Sequence, residues 1–354
     1  MSDPKRRHRM PPESFQLPTE ALRTGWYSDK YFVRTRDILI ADDRHPRVVM
    51  QVFTRRPGIA CGLDEAIAVL RLAAKRPKEL FIDALHDGDA ISESETVMLI
   101  EGDYSTFAHL ETVYLGVLTR GSSIATNVRR VVEVAGDRPV LFFSARFDHY
   151  SVQPSDGYAA FVGGAAAVST DANTAWWPKQ TGEGTIPHGL IAAYEGDTMA
   201  ATEAFDRHIE PSARRIALVD FDNDCVKTSL EVARSLGERL WGVRLDTAGN
   251  LRDKSVKGTG PDSYGVCAEL VWNVRRALDA EGFRHVRIVV SGGFNVARIA
   301  LFCESGVPFD AVGVGTAFYK DRMEFTADIV QVNGKPCAKV GRQLRPNPRL
   351  LRVE

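Results

Sequence analysis

The stretch VRIVVSGGFNVARIALFCESGVPFDAVGVGTAF, residues 286–318, decides the fold. It opens on a β-branched run, Val286-Arg287-Ile288-Val289-Val290, and closes on a second apolar run, Phe309-Asp310-Ala311-Val312-Gly313. Each run stops at a glycine turn, Ser291-Gly292-Gly293 and Gly313-Val314-Gly315-Thr316. Between them, residues 295–305 place Val296, Ile299, Ala300 and Phe302 at the spacing of one helix face. The order is strand, glycine turn, helix, strand, glycine turn. Glycine lets backbone N–H groups face a ligand without steric cost. A helix N-terminus behind such groups favours phosphate. Two of these turns on late strands match the phosphate site of a (β/α) barrel. Taken singly, each is also an ordinary tight βα turn.

Upstream of this stretch the same rhythm continues. Strand-like runs at residues 140–145, 165–169, 184–187, 215–219 and 241–245 join 287–290 and 311–314, giving seven parallel-type strands. Helix patterns at 189–208, 223–236 and 263–281 alternate with them. Such a series predicts a seven-stranded α/β barrel over residues 139–320. Residues 21–138 read differently. A short strand VVMQVF, an amphipathic helix over 62–75 and turn signals at His86-Asp87-Gly88-Asp89 and Glu101-Gly102-Asp103 predict a domain of α+β rather than βαβ style. Residues 321–354 hold a hairpin around Asn333-Gly334, which returns to the first domain's sheet.

The 354 residues are 44% hydrophobic and 26% charged with net charge −1, which gives no electrostatic reason to expect nucleic acid or an anionic membrane. No apolar run approaches the roughly 20 residues of a membrane span. Residues 1–20 read as a basic flexible tail. Lys5, Arg6, Arg7 and Arg9 are solvated in this reading, and no apolar core marks a signal peptide. Cys61, Cys225, Cys267, Cys303 and Cys337 are scattered, with no C-x-x-C pair, so the pattern predicts neither a zinc site nor a disulfide framework and fits a reducing cytoplasm.

In parallel barrels the chemistry sits at the carboxyl ends of the strands. Those ends give Arg146, Ser169 with Thr170, His188, Asp220 with Asp222, Arg244 with Asp246, then the two glycine turns. The set suits a small anion and a phosphorylated sugar with Mg²⁺, because magnesium takes carboxylate and phosphate oxygens. Each member has a plainer reading beside it. Asp222 is in place to N-cap the next helix, Asp246 to begin a turn, Arg244 to pair with a carboxylate, and His188 to serve the fold alone. Asp29, Tyr27 and Tyr31 have no interpretation from composition.

These residues together resemble the nicotinate phosphoribosyltransferases, relatives of the quinolinate enzymes. The resemblance is carried by Ser28-Asp29-Lys30-Tyr31-Phe32, Ser144-Ala145-Arg146 with His149, Gly184 to His188, Val243-Arg244-Leu245-Asp246-Thr247 and the two glycine turns, over residues 28–341. It implies an α+β sandwich domain followed by an irregular, roughly seven-stranded α/β barrel, and a homodimer or higher oligomer with shared active sites, in which Asp29 and Tyr31 serve the neighbour. It implies transfer of phosphoribose from 5-phosphoribosyl-1-pyrophosphate to nicotinate with Mg²⁺, giving nicotinate mononucleotide for NAD synthesis, coupled to ATP hydrolysis. Arg146 would then hold the nicotinate carboxylate, with Tyr31 at the pyridine ring and Ser169 beside the base. Asp220 and Asp246 would meet ribose hydroxyls or the metal, and Arg244 the phosphate or pyrophosphate. Ser291, Gly292, Gly293, Gly313, Gly315 and Thr316 would bind the 5-phosphate, and His188 would be the residue that ATP phosphorylates. The chain departs from the family pattern at Phe147, where a second arginine is usual, at Asp148, and at Ala248-Gly249-Asn250. A quinolinate enzyme, which must expel CO₂, is the second reading, and a non-catalytic barrel that binds phosphorylated metabolites the third. An aspartate in place of Ser169 would mark a nicotinamide enzyme.

Overall fold

A computed structural model describes residues 9–177, 182 and 184–354. The chain divides into two compact units, residues 1–127 with 321–354, and residues 128–320. The first begins with helices α1 (Thr19–Thr24) and α2 (Lys30–Ala41), strands β1 (Arg47–Thr54) and β2 (Gly58–Ile59), and helix α3 (Leu63–Ala73). Strands β3 (Phe81–Ala84), β4 (Ala90–Ile91) and β5 (Thr96–Asp103) follow, then helix α4 (Glu111–Ala135), within which the division falls. The second unit holds strands β6 (Val140–Phe142), β7 (Ala167–Val168), β8 (Arg215–Leu218), β9 (Leu240–Leu245), β10 (Arg287–Val290) and β11 (Ala311–Val314). Its helices are α5 (Gln153–Gly163), α6 (His188–Ala193), α7 (Thr198–His208), α8 (Cys225–Leu236), α9 (Ala268–Ala280) and α10 (Val296–Glu304). Strands β12 (Phe325–Val332), β13 (Lys335–Pro336) and β14 (Leu351–Arg352) return to the first unit.

The first unit's sheet runs β13-β12-β1-β5-β3-β14, and every pairing in it is antiparallel. Val48, Met50 and Val52 of β1 alternate into a core shared with Leu70, Ile82, Ile100 and Tyr114. The turn between β12 and β13 is Asn333-Gly334, with φ of 49° and 75°, as the favoured two-residue hairpin requires. Arg9 is not solvated. Its guanidinium pairs with Asp64 at 2.9 Å and donates to the carbonyls of Ala84 and Leu85, and Phe15 is buried, so residues 9–20 pack against the unit. Lys5, Arg6 and Arg7 lie outside the described residues.

One buried carboxyl ties this unit's stability to pH. Burial pushes Glu111 up to about 8 from 4.5, and the carboxylates of Asp328 and Asp29 add to the shift. The folded chain therefore keeps a proton that the unfolded chain releases between those two values. Stability falls as pH rises through that window. Glu111→Gln should be near neutral at about pH 5 and stabilising above about pH 8, since one pKa unit is worth about 1.4 kcal/mol. Urea midpoints at both pH values check this.

In the second unit the order is β7-β6-β11-β10-β9-β8, and all five pairings are parallel. Six strands form this sheet, one fewer than the seven read from the sequence, and no ladder joins β7 to β8 among the described residues. The barrel is accordingly a curled, incomplete one. The missing strand is residues 184–187, which form no ladder; Pro187 has no N–H to donate, and the chain turns at once into α6. The pattern over 189–208 splits into α6 and α7, and Asp197 caps the second by accepting from Ala200 N at 2.9 Å. Asp224, not Asp222, caps α8. Ile288, Val289 and Val290 are fully buried, which explains why β10 reads as a continuous apolar run. Among the described residues no helix is long and apolar enough to cross a membrane, and all five cysteines are free.

Candidate functional site

At the carboxyl ends of the parallel strands lies a cavity of about 610 Å³. Its wall collects Arg146, Ser169, His188, Arg244, Asp246, Ser291, Gly292, Gly293, Gly313, Gly315 and Thr316, so most of the residues singled out from the sequence meet there.

The first glycine turn follows β10. Gly292 and Gly293 have φ of 86° and 79°, a conformation that glycine adopts freely. Asn295 caps α10 by accepting from Arg298 N at 3.0 Å, which sets that helix's N-terminus behind the turn. The Arg298 side chain donates to Gly292 O at 3.2 Å and Val266 O at 2.7 Å and braces the turn from outside.

The second turn differs from its reading in the sequence. Gly313 lies inside β11, paired with Leu141, and is no turn residue. Its missing side chain makes room for a ring, because a Cβ there would stand 2.5 Å from Phe143 Cδ2. Gly315 is the residue at the bend. A Cβ on it would run into the Phe147 ring and stand 3.1 Å from the Phe143 carbonyl oxygen.

Arg244 and Asp246 form the centre of the wall. Arg244 Nε donates to Ser291 Oγ at 2.8 Å, Nη1 donates to Thr185 Oγ1 at 3.2 Å, and Nη2 lies 3.2 Å from Asp246 Oδ2. Ser291 Oγ in turn donates to Asp246 Oδ1 at 2.7 Å. Arg244 also lies over the Phe143 ring, 5.0 Å from its centroid. The pairing that gave Arg244 a plainer reading is therefore present, and it leaves both charges on the cavity wall.

His188 begins α6, half-exposed, and its Nε2 lies 3.0 and 3.1 Å from the two oxygens of Asp220. Asp220 stands behind the imidazole, its side chain 7% exposed. Burial pushes the Asp220 carboxyl above its usual range and the Asp246 charge adds to this, while His188 pulls the other way. Arg146 is exposed, with its guanidinium 5.3 Å from the Phe147 ring centroid, so the residue in the usual place of a second arginine supports the first.

Asp29 and Tyr31 belong to the other unit. Thr112 Oγ1 donates to Asp29 Oδ2 at 2.7 Å, and Tyr31 is 60% exposed beside Phe32. Thr185, Phe143 and Arg298 were not singled out from the sequence. Thr185 alone had a signal, since it lies within the glycine-to-histidine motif before His188. The other two act through contacts that spacing does not reveal.

A sequence profile of the quinolinate phosphoribosyl transferase N-terminal domain matches residues 29–122. The chain is 32% identical to the nicotinate-nucleotide pyrophosphorylase of Pyrococcus furiosus, with a TM-score of 0.81 over 96% of this chain and 85% of that one. It is 27% identical over 266 residues to nicotinate phosphoribosyltransferase pncB1 of Mycobacterium tuberculosis, covering 73% of this chain and 55% of that protein. The human nicotinic acid phosphoribosyltransferase shares the fold at a TM-score of 0.67 and 19% identity, over 88% of this chain and 75% of that one. The chain spans about half the length of the curated relatives it matches. It belongs to the type II phosphoribosyltransferase family of the nicotinate-nucleotide pyrophosphorylases.

Proposed function

We propose that the chain transfers phosphoribose from 5-phosphoribosyl-1-pyrophosphate to nicotinate, giving nicotinate mononucleotide and pyrophosphate for NAD synthesis. The observation that carries this is the joint presence, on one wall, of two glycine cradles, the Arg244–Asp246 pair and a single base-side arginine, Arg146. The curated relatives named for nicotinate phosphoribosyl transfer support the same choice. As pyrophosphate leaves, C1 of the ribose becomes cationic and the pyridine nitrogen attacks it with its own lone pair. No protein nucleophile toward the sugar is needed. The site must orient two anions and stabilise the departing charge.

In this reading the Gly292-Gly293 turn, with Ser291, Gly313, Gly315 and Thr316 around it, receives the 5-phosphate. Arg244 faces the diphosphate, and Arg146 pairs with the nicotinate carboxylate through its planar fork, with Ser169 at the base. Among the described residues no group of three or more His, Cys, Asp or Glu forms a metal cage. Asp246 on the wall and Asp220 behind it instead offer two carboxylates, which fits Mg²⁺ held jointly with substrate phosphates and water. The metal would supply charge neutralisation of the leaving group.

ATP coupling belongs to the same proposal. Asp220 fixes the imidazole by accepting from Nε2–H, which leaves the Nδ1 lone pair as the nucleophile for the γ-phosphoryl group of ATP, with ADP as leaving group. Hydrolysis of the phosphohistidine returns the free ring. His188→Ala should abolish ATP stimulation and leave slow ATP-independent transfer. Initial rates with and without ATP check this, and an unchanged ATP effect would remove His188 from that role.

Asp29 and Tyr31 fit a second copy's site, so the working form in this reading is a homodimer or larger. The exposed Trp26, Tyr27 and Tyr31, at 78%, 52% and 60%, are the surface such a copy would cover.

A decarboxylating quinolinate enzyme is the second reading, favoured by the profile matched at residues 29–122. It must hold two carboxylates, and the base side offers Arg146 beside the uncharged ring of Phe147. Incubating the protein with quinolinate and 5-phosphoribosyl-1-pyrophosphate should release no CO₂. Release at a rate above nicotinate turnover would reverse the choice of base.

A further inference from the structure

The glycine turn after β10 is held by a side chain that does not reach the cavity. Ser291 N donates to Leu245 O at 2.9 Å, but the N–H groups of Gly292, Gly293 and Phe294 have no acceptor among the described residues. Successive backbone donors ahead of a helix N-terminus are what an anion-binding turn offers. Their use depends on where they point. The Gly292 carbonyl and the Gly293 N–H belong to one trans peptide unit, so they point in opposite directions. Arg298 Nη1 donates to that carbonyl at 3.2 Å. Gly293 lines the cavity and Arg298 does not. Holding the carbonyl on the Arg298 side therefore turns the Gly293 N–H toward the cavity.

Arg298 is itself fixed from several directions. Asn295 Oδ1 accepts from its backbone N–H at 3.0 Å, and Nη2 donates to Val266 O at 2.7 Å. The guanidinium lies 4.6 Å from the Phe294 ring centroid and 5.9 Å from that of Phe302, and these two buried rings meet edge to face. Val266 follows Gly265, where a Cβ would stand 3.3 Å from Gly249 Cα and 3.5 Å from Thr247 O. The segment that receives Nη2 thus packs on the turn after β9 that carries Asp246. One side chain ties the two turns together.

Charge gives a second, independent indication. Burial lowers the Arg298 pKa from its ordinary value, and no carboxylate pairs with it among the described residues. A guanidinium stays protonated in a protein. A partly buried cation without a counter-ion is unfavourable unless an anion nearby offsets it. A phosphate in the turn would be that anion.

We infer that Arg298 is a positioning residue for the sugar 5-phosphate: it aims the Gly293 N–H and sets an unpaired positive charge behind the turn, touching no ligand itself. This rests on the phosphoribosyl-transfer reading of the cavity. It separates the two ends of the reaction, because the loss of Arg298 is felt by the sugar phosphate and not by the base.

The test is titration of the full chain with ribose 5-phosphate, which requires no turnover, by calorimetry and by amide NMR. Wild type, Arg298→Met and Arg298→Lys are compared. In wild type the Gly293 amide resonance should move downfield as its N–H meets phosphate. In Arg298→Met the affinity should fall at least about tenfold, the scale of one charge-assisted contact, and the downfield movement should be lost. Arg298→Lys keeps the charge but not the planar fork that spans two carbonyls, so it should recover part of the affinity. Its partial loss, about threefold, can be read even where the methionine variant is less stable. In turnover, KM for 5-phosphoribosyl-1-pyrophosphate should rise in step, while kcat and KM for nicotinate change less than about twofold. A side chain that only braces the fold would lower the melting temperature and leave both the affinity for ribose 5-phosphate and the Gly293 movement as in wild type. That result overturns the inference and leaves the reading of the cavity standing. A wild-type chain that binds no ribose 5-phosphate, or binds it with the Gly293 resonance unmoved, would instead remove the phosphate cradle on which the inference rests.

Discussion

Asp246→Asn lowers kcat/KM for 5-phosphoribosyl-1-pyrophosphate by about 10²–10³-fold, the scale seen when one preorganised charge-stabilising group is removed, and leaves the fold in place. The side chain accepts from Ser291 Oγ at 2.7 Å and lies 3.2 Å from Arg244 Nη2. Asparagine keeps the shape and one acceptor oxygen, so the serine contact survives. What it removes is the negative charge that offsets Arg244 and that would meet Mg²⁺ beside the diphosphate. Asp246→Ala goes further, because it also frees Arg244 and Ser291 from their shared partner. Half-saturating Mg²⁺ should rise in both variants, and circular dichroism should match wild type. A purely structural Asp246 would give the reverse pattern, a lowered melting temperature with the Mg²⁺ dependence unchanged.

Gly315→Val has the second large effect, a loss of at least about 10²-fold in affinity for 5-phosphoribosyl-1-pyrophosphate, equivalent to about 2.8 kcal/mol. The added Cβ meets the Phe147 ring and stands 3.1 Å from the Phe143 carbonyl. The ring can swing, but the carbonyl belongs to the backbone just after β6 and has little room to yield. The valine methyl groups also fill the space where backbone N–H groups would face the 5-phosphate. Removing the ring separates the two causes. In Gly315→Ala with Phe147→Ala, the steric part of the loss should be relieved, giving a double-mutant coupling well above the few tenths of a kcal/mol of independent sites. Equilibrium binding of the labelled diphosphate measures all the variants. Wild-type affinity in Gly315→Val would rule out this turn as the cradle.

The legible parts of this site were local in the chain. Ser291-Gly292-Gly293 announces its turn through glycines that the backbone needs, and the 3.6-residue spacing after Asn295 announces α10. The hairpin at Asn333-Gly334 was legible for the same reason. Local composition misled where a tertiary contact sets a residue's role. Gly313 looks like a turn glycine and is a space-maker for Phe143. Residues 184–187 look like a strand, but have no ladder partner and end at a proline. The His188–Asp220 hydrogen bond joins residues 32 apart in sequence, and only the β8 strand end brings them together. Arg9, read as solvated from its basic neighbours, finds Asp64 across 55 residues.

The most direct measurement is incubation of the purified chain with labelled nicotinate, 5-phosphoribosyl-1-pyrophosphate and Mg²⁺, with chromatographic separation of the mononucleotide. Wild type should form nicotinate mononucleotide with equimolar pyrophosphate, faster with ATP, and Asp246→Ala should form almost none. Failure of the wild-type chain to convert nicotinate under these conditions, with 5-phosphoribosyl-1-pyrophosphate still bound tightly, would contradict phosphoribosyl transfer to this base.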